Sequence, residues 1–250
     1  MPGALSGKRV LVYGGGTGLG LGCAKAMAEA GAAVFITGRR REKLEAAAKE
    51  TGAGFQEGDF THEADVDAIT ARAVEFLGGL DTVVVSSGTS SIGSTLSAKL
   101  ADFEKVMSTN LIGPFLAVRA AALHLIRSAP ASVIMIASIV ATVPMKERVA
   151  YCTSKAGLLG MTRAMAIDLA EHRVRVNAIS PSLVLTELAR EIMSREADPK
   201  ATMARREAQH PLGRLGQPQD IGSAAVYLAA DDSSWMTGQN LILDGGLSLQ

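Results

Sequence analysis

The sequence predicts one α/β domain, residues 1–250, in which helices cover both faces of a parallel sheet. Short apolar runs rich in β-branched residues recur along the chain, and each is followed by a longer alanine-rich segment with helical spacing. The run 133–136 is apolar on both faces, as expected for a strand covered by helices on two sides. A length of 250 residues is enough for one such domain to bury a full core.

This pattern defines seven strands and six helices in alternation. The predicted strands are residues 9–13, 33–37, 54–56, 81–86, 132–138, 173–180 and 240–243. The predicted helices are residues 19–30, 41–50, 63–77, 100–126, 151–171 and 218–229. The segment 186–211 interrupts the alternation and is broken by Pro199, so it is either a substrate lid or an irregular surface excursion.

The composition argues against several classes of protein. Lys and Arg number 25, as do Asp and Glu, and hydrophobic residues make up 48%, which indicates a folded protein without a nucleic-acid partner. Residues 1–9 lack the apolar core of a signal peptide and no apolar run reaches membrane-spanning length, so we expect a cytoplasmic location and no membrane partner. Cys23 and Cys152 form no C-x-x-C pair and the four histidines are far apart in sequence, so we expect reduced thiols and no metal.

The first predicted strand runs directly into a glycine-rich turn, residues 14–20, and then into a helix. Glycine lets the backbone turn sharply and approach a pyrophosphate, while the helix N-terminus offers unpaired N–H groups. This context indicates a dinucleotide site, although a purely structural turn would leave the same pattern. The residues expected to contact the dinucleotide here are Gly14, Gly16, Thr17, Gly18, Leu19 and Gly20.

The end of the second predicted strand carries two arginines, Arg39 and Arg40, and no carboxylate. An acidic residue at this point would bind both ribose hydroxyls of NAD, whereas a guanidinium pairs with a 2′-phosphate. The sequence therefore favours NADP(H), with NAD(H) left open. The alternative is that both arginines begin a solvated helix with Glu42.

Tyr151 and Lys155 are spaced i and i+4, on one face of a predicted helix. A free phenol titrates near pH 10, and a nearby ammonium or an oxidised nicotinamide ring favours the phenolate, which would bring the pKa toward the working range. Ser138 ends the preceding strand and can donate to a substrate oxygen. Asn110, inside the helix 100–126, can hold a water beside the lysine. The pattern predicts transfer of a hydride and a proton between a nicotinamide and a carbonyl or secondary alcohol.

Together these residues resemble the short-chain dehydrogenase/reductase family in its shorter branch, of about 250 residues, over nearly the whole chain. The matching positions are Gly14, Gly18 and Gly20 for the T-G-x-x-x-G-x-G turn, Asp59 for the adenine-side acid, and Asn110, Ser138, Tyr151 and Lys155 for the Asn-Ser-Tyr-Lys tetrad. The stretch that cradles the nicotinamide in this family is matched by Asn177, Pro181, Val184 and Thr186.

The resemblance implies a Rossmann-like fold and a role for each matched residue. Tyr151 would be the acid/base, Lys155 would hold the ribose and lower the tyrosine pKa, Ser138 would orient the substrate, and Asn110 would support a proton relay. Taken singly, Asn110 could be a helix-kink residue, Ser138 a strand-end hydroxyl and Lys155 a solvated charge. The further dinucleotide contacts expected are Asp59, Phe60, Ser87, Gly88, Asn110, Tyr151, Lys155, Pro181, Ser182, Val184 and Thr186.

Three positions depart from the family pattern. Tyr13 stands in place of the threonine before the first glycine, residues 85–88 read Val-Ser-Ser-Gly in place of Asn-Asn-Ala-Gly, and Ser182 stands in place of the glycine after Pro181. The first two lie beside the adenosine half of the expected site. None of the three removes a group that transfers a proton.

The groups expected to face the substrate are mostly aliphatic or thioether side chains, which favours an apolar or alicyclic ketone or alcohol. They are Ser138, Val140, Met145, Tyr151, Leu183, Leu188 and Met193. The alternatives are an NAD-dependent alcohol, steroid or sugar dehydrogenase, a 3-oxoacyl-thioester reductase, or a cofactor-binding regulator without chemistry. The resemblance also implies a homotetramer in which helices 110–126 and 151–171 pair across one interface.

Overall fold

The computed structural model describes residues 3–250, so Met1 and Pro2, which the predicted domain includes, lie outside the described residues. Its strands are β1 (Arg9–Tyr13), β2 (Ala33–Gly38), β3 (Gly54–Glu57), β4 (Thr82–Val85), β5 (Ala131–Ile136), β6 (Val174–Pro181) and β7 (Asn240–Leu243). They form one parallel sheet in the order β3-β2-β1-β4-β5-β6-β7. This arrangement confirms the predicted Rossmann-like fold, and its strand order reverses between β1 and β4, where such sheets bind ligands.

Helices cover both faces of the sheet. They are α1 (Gly18–Glu29), α2 (Arg41–Thr51), α3 (Glu63–Leu77), α4 (Leu100–Met107), α5 (Gly113–Arg127), α6 (Val149–Ala170), α7 (Glu187–Ser194), α8 (Pro199–Ala208) and α9 (Pro218–Ala229). Residues of α3, α5 and α6 pack on one face, and residues of α1, α2 and α9 pack on the other. Within β1, Leu11 and Tyr13 belong to the first core, while Val10 and Val12 belong to the second. Burial on two sides explains why the strands are continuously apolar in sequence.

The predicted helix 100–126 is a continuous helical segment that contains a π-helical turn, Ser108–Ile112, between α4 and α5. Such turns insert one residue into a helix and occur frequently at functional sites. The turn carries Asn110, whose side chain is fully buried.

One segment of the described chain, Leu100–Arg127, is long and apolar enough to cross a membrane by length and composition. The expectation that no apolar run reaches this length is therefore wrong for this one segment of 28 residues. Ala117, Ala121 and Leu125 nevertheless pack against the sheet in the core. A core helix passes the same test, so the segment gives no evidence of a membrane location.

The segment 186–211, predicted as either a lid or an irregular excursion, contains two helices, α7 and α8. Thr186 caps α7 by accepting from the Ala189 N–H at 3.2 Å, and Asp198 caps α8 by accepting from the Ala201 N–H at 2.9 Å. An apolar cluster around Leu185, Met193 and Leu215 gives the segment a small core of its own. We call residues 186–211 the lid segment.

Candidate active site

The glycine turn connects the end of β1 to the start of α1. The backbone N–H groups of Gly14 and Gly15 donate to the Thr37 carbonyl at 2.9 and 3.1 Å, which fixes the turn to β2. Gly14 has a φ of +79°, a left-handed conformation that favours glycine. A side chain on Gly20 would overlap the carbonyl oxygen of Gly14, so this glycine lets α1 begin directly beneath the turn.

The turn fits a dinucleotide pyrophosphate. Thr17, the residue before α1, provides no side-chain cap, so the first N–H groups of the helix are left for another acceptor. A cavity of about 330 Å³ lies along α1 and α2, and it reaches the turn only at its edge, at Gly16, Thr17 and Gly18. Leu19, predicted as a contact, lies in the first turn of α1 and is half-buried.

The predicted adenosine contacts lie beside this turn. Arg40 donates from Nη2 to the Thr17 hydroxyl at 3.2 Å, and both Arg39 and Arg40 are exposed. Burial favours a higher pKa for Asp59, but its pKa is lowered overall by hydrogen bonds from the Thr61 backbone and hydroxyl and by the charge of Arg39. The carboxylate is therefore ionised at neutral pH.

The side chain of Phe60 does not face the expected adenine site. It packs in the core against the Tyr13 ring, with ring centroids 6.2 Å apart, and against Gly113, where a side chain would meet the Phe60 ring at 2.7 Å. The ring thus belongs to the core, and the predicted contact of residue 60 with an adenine would have to come from its backbone.

Tyr151 lies in the first turn of α6, and Ser138 lies two residues beyond the end of β5. Burial raises the pKa of Tyr151, while a hydrogen bond with the Ser138 hydroxyl and the charge of Arg148 act to lower it. In the protein alone the phenol is therefore neutral at pH 7 and can donate a proton. The expected lowering of this pKa involves a bound oxidised nicotinamide as well as the Lys155 ammonium, so it stays a prediction for the protein with its dinucleotide.

The ammonium group of Lys155 is buried beneath the tyrosine ring. Its Nζ lies 5.9 Å from the Tyr151 ring centroid and donates to the Ile136 carbonyl at 2.8 Å. Burial lowers its pKa to about 8. Lys155 is thus attached to the end of β5, beside the place where a ribose and a substrate would meet, and is not a solvated surface charge.

Asn110 makes three hydrogen bonds that the sequence did not predict. Its Oδ1 accepts from the Thr89 N–H, and its Nδ2 donates both to the Thr89 carbonyl and to the Ser154 hydroxyl. The side-chain amide is therefore occupied in holding the loop after β4 against α6. Its Oδ1 accepts only one of these bonds and has a second lone pair, so the water-holding role expected for Asn110 stays a prediction.

The loop after β4 approaches both halves of the site. Ser87 is so close to Gly14 that a side chain there would lie 2.7 Å from the Ser87 hydroxyl. A side chain on Gly88 would lie 3.6 Å from the Lys155 ammonium, so the loop also reaches the catalytic candidates.

The departure at Tyr13 has a structural explanation. The ring is fully buried on the α3 side of the sheet, and its hydroxyl lies 2.9 Å from the Thr70 hydroxyl. Burial raises the pKa of Tyr13 to about 12. The tyrosine therefore fills the core and leaves the turn itself free.

The stretch expected to cradle the nicotinamide, residues 181–186, is here called the nicotinamide wall and lies at the end of β6. Pro181 is buried at the strand end, Val184 is buried and pairs with Gly216, and Thr186 caps α7. Asn177 does not belong to this wall, because its side chain donates to the Met236 carbonyl and accepts from the Gln239 N–H. Its predicted place beside the nicotinamide is therefore corrected to the support of the loop before β7.

The residues predicted to face the substrate occupy different environments. Met145 and Leu188 are exposed, with 52% and 64% of their surface accessible. Val140 is buried after Ser138, and Met193 is buried in the core of the lid segment, packed with Leu183. Met193 thus supports the lid in this conformation and does not line its surface.

Two contacts of this region could not be predicted from the sequence. Thr89 is the backbone partner of Asn110, and His210, at the end of the lid segment, has its Nε2 3.0 Å from the Ser182 hydroxyl. No local pattern marks either residue, because each partner lies more than 20 residues away in sequence. Among residues 3–250, no group of three or more His, Cys, Asp or Glu side chains is arranged to hold a metal ion.

The sequence and the fold are similar to those of known dehydrogenases. Residues 14–248 match the family model described as enoyl-(acyl carrier protein) reductase. The L-fucose dehydrogenase of Rattus norvegicus is 34% identical over 251 residues, which cover 99% of this chain and 92% of that protein. The 2-(S)-hydroxypropyl-CoM dehydrogenase 3 of Xanthobacter autotrophicus is 32% identical over 254 residues, which cover 99% of both chains. The ligand-free aldohexose dehydrogenase of Thermoplasma acidophilum has a TM-score of 0.92 and 29% identity, covering 100% of this chain and 97% of that one.

Hydride transfer to or from a dinucleotide needs a phosphate-binding turn and a proton-transferring group, and here both lie at the carboxyl ends of parallel strands. The protein is therefore a dinucleotide-dependent oxidoreductase that acts on CH–OH groups. It belongs to the short-chain dehydrogenase/reductase family, as its sequence motifs indicated.

Proposed function

We propose that this protein interconverts a ketone and a secondary alcohol with NADP(H), using Tyr151 as the general acid/base. The observation that carries the proposal is the placement of Tyr151 near both the Ser138 hydroxyl and the buried Lys155 ammonium, where the loop after β4 reaches from Lys155 to the glycine turn. When bound, the dinucleotide supplies or accepts the hydride.

The chain's own groups account for the proton. In the reductive direction, the neutral Tyr151 phenol donates its proton to the developing alkoxide, and the Ser138 hydroxyl donates a hydrogen bond to the same oxygen. Lys155 stabilises the phenolate that results, because its ammonium lies beneath the ring. In the oxidative direction, the phenolate accepts the alcohol proton by the reverse path.

The preference for NADP(H) is supported by charge at the end of β2. Arg39 and Arg40 are exposed there, and Arg40 already contacts Thr17 of the glycine turn. A 2′-phosphate bound at this point would meet two guanidinium groups and no carboxylate from residues 36–40.

The preference for an apolar or alicyclic substrate is supported by exposed apolar side chains on the segments around Tyr151. These are Ile92, Val143, Met145, Leu188 and Ile192. Isolated apolar residues on a surface are common, but these five belong to the three segments that follow β4, β5 and β6. Burying them against a carbon ring would contribute free energy that a polar substrate would not gain.

A second candidate, a sugar dehydrogenase, is favoured by the names of the relatives. One relative is an L-fucose dehydrogenase and one structural neighbour is an aldohexose dehydrogenase. A polyol would need several polar partners near Tyr151, and the hydroxyls of Thr89, Ser90 and Ser91 follow β4 at this edge of the sheet.

We also propose a homotetramer. Phe115 and Leu123 on α5 and Ile167 on α6 are exposed apolar residues on the two helices expected to pair, with 42%, 64% and 78% of their surface accessible. Pairing of α5 and α6 with their copies would bury all three. The mass of the protein in solution tests this assignment.

The proposed function is tested by monitoring oxidation or reduction of the dinucleotide through its absorbance. NADPH and NADH are each titrated against ketones, diketones, steroids, sugars and acyl thioesters. We expect turnover with an alicyclic or apolar ketone and tighter binding of NADPH, which Arg39→Ala and Arg40→Ala weaken. Equal affinity for the two dinucleotides, or an unchanged affinity in both variants, contradicts the cofactor assignment. Turnover restricted to sugars selects the second candidate.

A further inference from the structure

The lid segment leaves and rejoins the domain through a narrow neck. The Leu185 N–H donates to the Gly216 carbonyl at 2.8 Å, and the Gly216 N–H donates to the Leu183 carbonyl at 3.2 Å. The chain that enters the lid segment is therefore paired with the chain that leaves it. The hydrogen bond between Ser182 and His210 lies on one side of this neck and joins the same two stretches through their side chains.

The direction of this hydrogen bond follows from the second nitrogen of the histidine. His210 is only 3% exposed, and its Nδ1 lies 2.7 Å from the Arg206 carbonyl in α8. A carbonyl can only accept, so Nδ1 carries the proton of the neutral ring and Nε2 is an acceptor. The Ser182 hydroxyl therefore donates to Nε2. The ring is bound on one side to a helix of the lid segment and on the other to the end of β6.

Ser182 is itself fixed to the sheet. It follows Pro181, the last residue of β6, and its N–H donates to the Leu243 carbonyl of β7 at 3.2 Å. It also begins the stretch that is expected to contact the nicotinamide. A glycine, which the family pattern places at this position, has no hydroxyl and would leave Nε2 of the buried His210 without this donor.

We propose that Ser182 and His210 are positioning residues for the reaction, because their hydrogen bond sets the lid segment against the nicotinamide wall. The lid segment carries Leu188 and Ile192, two of the residues proposed to contact substrate. A lid segment that is already fixed to the end of β6 presents these side chains to the substrate in one position. Less conformational entropy is then lost when the substrate binds. The kinetic part of this inference rests on the proposed function, whereas the effect on lid mobility does not.

Steady-state kinetics of four variants test the positioning role. In His210→Asn, we expect the KM for the carbonyl substrate to rise by about tenfold while kcat stays within about twofold, since Tyr151 and Ser138 are untouched. Ser182→Ala removes the same bond from the other side and should raise the KM by a similar factor, although it also alters an expected dinucleotide contact. His210→Asn keeps a donor for the Arg206 carbonyl and loses the bond to Ser182 together with part of the ring's packing near Gly245. The double variant should be no worse than either single variant, because both remove the same bond. Ser194→Ala, an exposed lid residue whose hydroxyl contacts only the Glu191 carbonyl among the described residues, is the matched control.

Hydrogen exchange of the amides in residues 187–208 gives an independent readout in the protein without dinucleotide. We expect faster exchange of these amides in Ser182→Ala and His210→Asn than in the wild type and in Ser194→Ala, with the exchange of β5 and α6 unchanged. A kcat loss with unchanged KM, or wild-type exchange in both variants, overturns the proposal. If no carbonyl is turned over by the wild type, the proposed function fails, and the exchange rates alone decide the role of the bond. If Ser182→Ala does not fold, His210→Asn carries both measurements.

Discussion

The Asn110 side chain holds both backbone groups of Thr89. Its Oδ1 accepts from the Thr89 N–H at 2.8 Å, and its Nδ2 donates to the Thr89 carbonyl at 2.8 Å and to the Ser154 hydroxyl at 3.0 Å. One buried amide therefore connects the loop after β4, the π turn and the helix that carries Tyr151. Because the amide is fully buried, each of these bonds forms in a region from which water is excluded.

Replacing this amide should reduce catalysis without touching a proton-transferring group. In Asn110→Asp the acceptor for the Thr89 N–H remains, but both donors are lost and the Thr89 carbonyl faces a carboxylate. We expect kcat/KM to fall by about 10²-fold, because the loop that reaches Gly88 and the helix that carries Tyr151 lose their common support. Steady-state kinetics measure the effect, with Glu104→Gln on the exposed face of α4 as the control. A variant with wild-type kcat/KM would show that the contact is dispensable.

Tyr151→Phe should abolish turnover and leave dinucleotide binding intact. The ring still fills its place above Lys155, but the proton donor is gone, so we expect kcat to fall by about 10²–10⁴-fold. Turnover is followed by dinucleotide absorbance and binding by nucleotide fluorescence. Tyr227→Phe, on α9 and outside the site, should retain full activity. Substantial turnover by Tyr151→Phe would refute the proposed mechanism.

Ser138→Ala should lower activity and also change its dependence on pH. The Ser138 hydrogen bond acts to lower the pKa of Tyr151, so its removal raises that pKa further. Alcohol oxidation needs the phenolate, and the acid limb of its kcat/KM profile should therefore move to higher pH, with a rate loss of about 10²-fold. Ser138→Thr keeps a hydroxyl and should shift the profile less. An unchanged pH profile in Ser138→Ala would show that Ser138 does not affect the pKa of Tyr151.

Lys155→Met should stabilise the fold while removing activity. Burial lowers the pKa of Lys155 from 10.5 to about 8, so the unfolded chain binds its proton more tightly than the folded one. Lys155 therefore destabilises the folded state most below pH 8, and this destabilisation decreases as the pH rises toward 10.5. We expect the unfolding free energy at pH 7 to rise by at most about 3 kcal/mol, with a smaller gain at pH 10. Urea unfolding at both pH values measures this, with the exposed Lys49→Met as the control. A destabilised variant at pH 7 would contradict the argument.

Tyr13→Phe should cost stability and spare dinucleotide binding. The change leaves the buried Thr70 hydroxyl without its partner, which costs about 1–3 kcal/mol. Adding Thr70→Val removes the second hydroxyl and should restore part of the loss, because neither polar group is then left unpaired. Urea unfolding and dinucleotide titration test both effects. If Tyr13→Phe weakened dinucleotide binding strongly, the ring would have a role in the site that its position in the core does not suggest.

The sheet could be predicted from sequence because its strands carry their own signal. The β-branched runs before α1 and α6, for example, are apolar on both faces whichever residues they later contact. The π turn at Ser108–Ile112 could not be predicted, because Asn110 is held by Thr89 and Ser154, which are distant in sequence. The direction of the Tyr151 pKa shift was likewise hidden, since it depends on how deeply the ring is buried.

The start of α8 carries a local sequence signal. Pro199, predicted as a break, is the first residue of α8 and follows the capping residue Asp198. Proline is favoured at that position because its missing N–H has no partner there in any helix. The bond between Ser182 and His210, by contrast, spans 28 positions and has no local signature.

The hydrogen bond between Ser182 and Leu243 of β7 determines when the dinucleotide site can form during synthesis. The wall proposed to hold the nicotinamide depends on β7, whose residues leave the ribosome after almost every other part of the fold. A strand in a parallel sheet pairs only after a distant segment of the chain has been synthesised. A nascent chain can therefore bury its first strands long before it can bind the nicotinamide of a dinucleotide. Catalytic competence should therefore appear late and abruptly during synthesis.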